Sequence, residues 1–187
     1  MKNKTTGPVS DYAPLRDEGS RITLCYGLQQ PEQAGGLASW YEVYLYKRQH
    51  ATVTLQDVKQ AVLADINART TEKIVSGFVW TPEGSETAIP VWLSSENQFN
   101  FKAAYDLAVQ TGGATLPVTF KLGELEDGTP VYHTFETMAG AQDFYVKAVA
   151  HINQTLAAGW QEKDGIDWAP YEALFPSQSQ NDNQQAE

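Results

Sequence analysis

Three histidines and one cysteine are the side chains of this sequence most suited to chemistry. His133 shares one face of a predicted strand with apolar neighbours, which is typical of a core or edge histidine. His151 lies beside the apolar stripe of a predicted helix, and His50 lies in a polar loop. The sequence contains no His-x-His, no HExxH and no histidine with acids at ligand spacing, so it predicts no metal site.

Other residue types used in active sites also lack a suitable context. Cys25 and His50 can be imagined as a nucleophile pair, but Cys25 has the pattern of a hydrophobic strand residue. There is no G-x-S-x-G elbow, and the Gly-Gly pair at 35–36 lacks the lysine and helix of a phosphate-binding loop. Asp164 and Asp167 are too few for a calcium loop. We therefore predict no catalytic residue, no metal and no cofactor, and a protein that is not an enzyme.

Composition limits the partners. The 187 residues carry a formal net charge of −10, which argues against a nucleic-acid partner because such binding depends on clustered Lys and Arg. One cysteine excludes an internal disulfide framework and a cysteine-based zinc site. The N-terminus has no apolar core of a signal peptide, and no run reaches membrane-spanning length. We expect synthesis in the cytoplasm and neither a nucleic-acid nor a membrane partner.

The pattern of Pro, Gly and apolar residues divides the chain into four segments. They are an N-terminal arm (1–20), an N-terminal β-hairpin (21–53), an α+β core domain (54–175) and a disordered C-terminal tail (176–187). The arm is too polar to fold alone, and Tyr12 and Leu15 are candidates to anchor it on a neighbouring subunit.

The second strand of the hairpin, Ser39–Lys47, has two apolar faces. Its residues Trp40, Tyr44 and Tyr46 follow one another on the second face, where a surface strand would be polar. This face is buried inside the fold, forms a subunit interface or serves as a ligand platform; the first two are favoured because Tyr and Trp are common in both settings. Our interface hypothesis therefore comprises five residues: these three together with Tyr12 and Leu15 of the arm.

A well-formed helix is predicted over 54–68. Thr54 is a natural N-cap with Asp57 three residues on, and the periodic apolar positions are Leu55, Val58, Val62 and Ile66.

A strand–turn–strand–helix unit then follows twice. The predicted hairpins pair Gly77–Thr81 with Ile89–Leu93, and Leu116–Leu122 with Pro130–Phe135. The first helix begins at Ser94 or Ser95 and stops at Gly112-Gly113; the second covers Thr137–Ala158 and ends at Gly159. An ungapped offset of forty residues aligns the two units with matches that include Pro90/Pro130, Glu96/Glu136 and Tyr105/Tyr145. Either a duplication or features common to any hairpin–helix unit explains these matches. The predicted fold is α+β: two ββα units that form a small antiparallel sheet with packed helices, extended by the N-terminal hairpin and helix.

From about Thr54 to Leu174 the chain resembles an uncharacterised family encoded in bacteriophages and prophages of gut Bacteroidetes. The segments that carry the resemblance are Ile74–Trp80, Val91–Tyr105, Leu116–Gly123, Tyr132–Phe135 and Gly159–Trp168. Genes of this family tend to lie among tail and tail-fibre genes, so the resemblance implies a virion component and supplies no catalytic residues.

The expected function is structural or adhesive: a tail- or tail-fibre-associated virion protein that acts as a homo-oligomer together with other virion proteins. The alternative is a module that binds a host-surface glycan through exposed aromatic rings, and a small enzyme is the third possibility. Aromatic exposure separates the first two, because a glycan platform needs rings open to water whereas an assembly surface hides them.

Overall fold

The computed structural model describes residues 4–33, 35–47 and 52–176. His50 and, apart from Pro176, the predicted C-terminal tail lie outside the described residues. The chain divides into two compact units. Unit 1 comprises the described residues up to Arg69 together with those from Gly159 onward, and unit 2 is Thr70–Ala158.

Unit 1 is built on a four-stranded antiparallel sheet. In chain order the strands are β1 (Lys4–Gly7), β2 (Leu15–Asp17), β3 (Arg21–Gln29) and β4 (Ala38–Tyr46), with a 3₁₀ turn at Val9–Asp11. Their order in the sheet is β1-β4-β3-β2, so the predicted hairpin forms the centre and the N-terminal segment supplies both edges. Strands β1 and β2 therefore form by pairing with the hairpin of the same chain. The outer sides of β4 and β3 supply the hydrogen-bond partners that the backbone groups of β1 and β2 would otherwise lack.

One face of this sheet packs on helix α1 (Leu55–Ser76). The predicted capping pair is present: Asp57 N donates to Thr54 Oγ1 over 3.1 Å, and Thr54 N donates to an Asp57 carboxylate oxygen over 2.9 Å. The four predicted stripe residues of α1 are all at most 2% exposed. They pack with residues of β3 and β4 and with Tyr171, which belongs to the short helix α4 (Ala169–Glu172).

Unit 2 contains the two predicted hairpins. Strand β5 (Phe78–Trp80) pairs with β6 (Ile89–Val91), and β7 (Val118–Glu124) pairs with β8 (Pro130–Phe135). The two hairpins form separate two-stranded sheets, joined by a hydrogen bond of 2.7 Å from Trp92 N to Leu122 O. They approach closely because Gly123 has no side chain: a Cβ there would lie 2.5 Å from Pro90 O.

Helix α2 (Ser95–Gln110) follows the first hairpin and begins and ends as predicted. Its N-cap Ser94 accepts a hydrogen bond from Asn97 N, and Gly112 and Gly113 follow its last turn with positive φ. Helix α3 (Met138–Asp164) follows the second hairpin and continues past Gly159, where the sequence predicted its end. The core of unit 2 is aromatic: the ring of Phe144 contacts those of Trp80, Phe101 and Phe135, and Trp80 also contacts Phe135.

The α+β class is confirmed, and the order ββα does occur twice. The forty-residue offset does not carry over to strand register. Phe78 pairs with Val91 in the first hairpin, whereas Val118 pairs with Phe135 in the second. The residue that the offset matches to the Ser94 cap, Thr134, lies inside β8, and Thr137 caps α3 instead. The longer pairing of β7 with β8, interrupted by an irregularity after Lys121, accounts for the difference.

Candidate functional site

The structure places Trp40, one of the five predicted interface residues, inside unit 1. Its side chain is 2% exposed, and its ring lies edge-on to Tyr12 at 5.9 Å between centroids. The indole Nε1 donates to Glu42 over 3.1 Å. Trp40 is therefore covered by its own chain, because residues 4–17 lie where a neighbouring subunit was expected, and the buried ring presents no surface to a partner.

Tyr12 and Leu15 likewise hold the N-terminal segment to its own chain. The Tyr12 hydroxyl donates to the Cys25 carbonyl over 3.2 Å, and Leu15 pairs with Leu24 in the sheet. The hydroxyl of Tyr171 also donates to that carbonyl. Both residues thus contact their own chain, whereas the sequence predicted contacts with a neighbouring subunit.

The remaining two residues of the interface hypothesis differ from each other. Tyr44 is half-buried; its hydroxyl donates to Glu42 over 3.2 Å, and the guanidinium of Arg21 lies 4.3 Å from its ring centroid. Tyr46 is 43% exposed. Of the five predicted interface residues, Tyr46 is the one with a largely open side chain.

Glu42 is the buried centre of this face of the sheet. It is 9% exposed and accepts hydrogen bonds from Arg16 over 2.7 Å, from Trp40 and from Tyr44. Burial opposes ionisation of this carboxyl, but the bonds from Trp40 and Arg16 outweigh it and lower the pKa of Glu42 below its usual value. The carboxylate is fully engaged by its own unit, which is typical of a structural ion and not of a reactive acid.

A second buried cluster surrounds Arg69 in the same unit. The guanidinium contacts Asp65 at 3.1 Å, Glu162 at 2.5 Å and the Tyr26 hydroxyl at 2.7 Å, and it stacks 3.8 Å from the Tyr41 ring centroid. Burial would lower the pKa of Arg69, but the carboxylate of Glu162 and the other acceptors hold it above its usual value. Because these groups satisfy one another, the cluster ties α1, β3, β4 and the end of α3 together. Sequence reasoning missed it, since its members are far apart in the chain.

The two histidines and the cysteine among the described residues each have their own surroundings. His133 lies edge-on to Trp80 at 4.8 Å, and burial lowers its pKa; His151 stacks on Phe78 at 5.4 Å. Cys25 is fully buried in unit 1, and burial raises the pKa of its thiol. Within residues 4–33, 35–47 and 52–176, no group of three or more His, Cys, Asp or Glu could hold a metal ion. None of the helices in that part of the chain is long and apolar enough to cross a membrane.

The clearest candidate for a binding surface is the outer face of the hairpins in unit 2. We call this surface the hairpin face and define it by Val79, Trp92, Lys121 and Tyr132. Val79, Trp92 and Tyr132 are 67%, 39% and 63% exposed, while the opposite sides of these strands bury Trp80, Leu122 and Phe135. Strand alternation thus separates a closed apolar core from an open, partly aromatic surface.

Lys121 lies at the centre of the hairpin face. It pairs across the hairpin with Tyr132, and its ammonium lies 5.5 Å from the centroid of the Trp92 ring and 2.6 Å from Glu124. Beside it, the hydroxyls of Thr119 and Thr134 are hydrogen-bonded to each other at 2.8 Å. The surface therefore combines two aromatic rings, one ion pair and two hydroxyls, which suits binding.

Comparison with known proteins identifies the family to which the chain belongs. The sequence profile of one family, described as "Domain of unknown function (DUF4376)", matches residues 57–180. No curated protein and no solved structure matches the chain. The matched span covers most of the predicted resemblance and more than half of the chain. The chain therefore belongs to the DUF4376 family.

Proposed function

We propose that this protein is a structural or adhesive component of a phage virion, associated with the tail or a tail fibre, which acts by assembling into oligomers and with other virion proteins. The observation that carries this proposal is the hairpin face. Large apolar side chains such as Val79 and Tyr132 stay more than half exposed in the isolated chain, and clusters of such side chains commonly mark interaction surfaces. The phage setting is supported by the resemblance of residues 54–174 to proteins encoded among tail genes.

The hairpin face has the layout of a protein-binding surface. Trp92 and Tyr132 are residue types that dominate binding energy in interfaces, and Lys121, which is ion-paired to Glu124, lies beside both rings. The strands that carry these residues are fixed from behind by the aromatic core of unit 2. A rigid support of this kind lowers the entropy lost on binding.

The test is incorporation into particles. Phage particles are purified from cells in which the gene carries Trp92→Ser and Tyr132→Ser, and their protein content is measured by mass spectrometry against wild type. We expect the wild-type chain in the particles and at least about a tenfold loss of the double variant, given the weight of aromatic anchors in interfaces. A matched control, Leu125→Ser, changes a side chain that is 50% exposed but lies outside the hairpin face. Particles without the wild-type chain would overturn the proposal.

A second candidate function, binding of a host-surface glycan, is favoured by one specific observation. The Trp92 and Tyr132 rings are accessible in the isolated chain and flank Lys121 near the hydroxyls of Thr119 and Thr134. Sugar rings stack on aromatic faces, while hydroxyls and ammonium groups bind their oxygens. Isothermal titration with purified host polysaccharide tests it: wild type should bind, and Trp92→Ser should lose most of the affinity. Equal binding by both proteins would exclude this site.

A further inference from the structure

Helix α2 carries an apolar stripe on its solvent side. We call Phe99, Ala103 and Leu107 the α2 stripe; they recur every four residues, and Phe99 and Leu107 are 71% and 49% exposed. The opposite side of the helix is fixed in the core through Phe101 and Ala108. Spacing of this kind places three side chains along one face of a helix, so the stripe is continuous over two turns.

An ion pair borders the α2 stripe on one side. Lys102 and Asp106 are one helical turn apart and bonded to each other, and their side chains are 60% and 44% exposed. The stripe itself carries no charge. A partner that binds here therefore needs an apolar strip bordered by one positive and one negative group in the reverse order.

Helix α2 itself meets this requirement. In an antiparallel pair related by a two-fold axis near Ala103, Phe99 of one copy lies opposite Leu107 of the other. The small side chain of Ala103 lies at the centre, where it permits close approach of the two helices. The same axis keeps the charged borders on one side and brings Lys102 of each copy opposite Asp106 of the other. We propose that the α2 stripe is the contact between two copies of this chain.

Charge complementarity makes a second copy a suitable partner for the α2 stripe. Two chains that each carry a net charge of −10 repel one another, and a contact in which opposite charges meet offsets part of that repulsion. The α2 stripe provides such a contact, because each lysine meets an aspartate. The remaining acid of the helix, Glu96, would face the uncharged end near Thr111 of the other copy. A two-fold, self-complementary contact is also the commonest form of homodimer.

The first experiment is a charge exchange, which uses the full chain and sedimentation equilibrium. Lys102→Asp replaces two attractive contacts by two repulsive ones, and we expect the dimer dissociation constant to rise at least about tenfold. The double variant Lys102→Asp with Asp106→Lys restores opposite charges across the axis and should restore the wild-type constant. A monomeric wild type, or a double variant as weak as the single one, would overturn the proposal.

The second experiment separates this contact from the proposed function, whose oligomeric assembly it specifies. Leu107→Ser should weaken dimerisation at least about tenfold, whereas Leu125→Ser, with a similarly exposed leucine, should not. Circular dichroism confirms that each variant is folded. The hairpin-face variant Trp92→Ser with Tyr132→Ser should keep the dimer. If Leu107→Ser stays dimeric, the α2 contact is wrong while the virion role still stands. If the wild-type protein is a dimer but is absent from particles, the virion role is wrong while the α2 contact still stands.

Discussion

Two surfaces of the described part of the chain, one in each unit, carry aromatic side chains on their strands or beside them. They differ in how far the rest of the same unit covers them. In unit 1 the face with Trp40 is closed by the N-terminal segment, and its one acid, Glu42, is engaged by three donors. In unit 2 the hairpin face leaves Trp92, which directly follows β6, and Tyr132 of β8 exposed. An aromatic stripe on a strand therefore does not by itself indicate a binding surface.

The difference depends on what covers each surface. Gly7 of β1 is buried, and a Cβ on it would lie 3.1 Å from the Trp40 ring, so the backbone of the N-terminal segment packs directly on the indole. Tyr12 completes this cover with its edge-on ring. On the hairpin face, Lys121 and Tyr132 are both exposed. The first surface stabilises the fold, whereas the second is available to a partner.

The prediction with the largest expected effect concerns truncation of one tryptophan on each surface. Trp40→Ala should lower the free energy of unfolding by about 3–5 kcal/mol, because it removes a buried ring and leaves a cavity. Trp92→Ala, which removes a ring that is 39% exposed, should cost about 1 kcal/mol or less. Urea titration followed by circular dichroism measures both. Equal losses would show that the two surfaces do not differ as described.

The buried carboxylate provides the second test. Glu42→Gln removes the carboxylate charge 2.7 Å from Arg16, which keeps only the longer 3.9 Å ion pair with Glu18, and should cost about 1.5–3 kcal/mol near neutral pH. Since the folded-state pKa of Glu42 is lowered, its contribution is present above the ordinary value of 4.5 and is lost as the pH falls through the folded value. The stability difference between wild type and variant should therefore shrink below about pH 4.5. A difference that is constant with pH would contradict the assignment.

The hydrogen bond that fastens the N-terminal segment should have a smaller effect. Tyr12→Phe keeps the ring against Trp40 but removes the hydroxyl that donates to the Cys25 carbonyl. We expect a loss of about 0.5–1.5 kcal/mol, which denaturant titration resolves. Tyr46→Phe, which alters an exposed hydroxyl, is the matched control. A Tyr12 variant as stable as its control would mean that this bond does not hold the segment.

Local signals predicted a large part of the fold. The Thr54–Asp57 cap and the periodic stripe of α1 depend on residues within one helix, and the caps of α2 depend on Ser94 and the glycines that follow it. The two hairpins of unit 2 were also found from proline, glycine and alternation. Each of these features is encoded within a few neighbouring residues.

The features that the sequence did not reveal depend on distant partners. Strands β1 and β2 form because the central hairpin offers them edges, and α3 continues past Gly159 to Glu162, which pairs with Arg69. The cost of a glycine inside a helix, about 1 kcal/mol, is small beside such contacts. The buried role of Glu42 had a signal: a lone acid flanked on its own strand face by Trp40 and Tyr44, both able to donate hydrogen bonds to it. The hairpin face had none, because strand alternation alone does not determine which side is covered.

The smallest expected effect concerns Tyr46, the predicted interface residue that remains largely open. It lies at the end of β4 opposite Arg21 and is 43% exposed, so Tyr46→Ser should change the free energy of unfolding by about 0.5 kcal/mol or less. If the α2 stripe forms the dimer and the hairpin face binds other partners, this variant should also keep the wild-type oligomer mass in light scattering. Leu107→Ser, measured beside it, should dissociate. Should Tyr46→Ser dissociate instead, the end of β4, and not α2, would be the contact between copies.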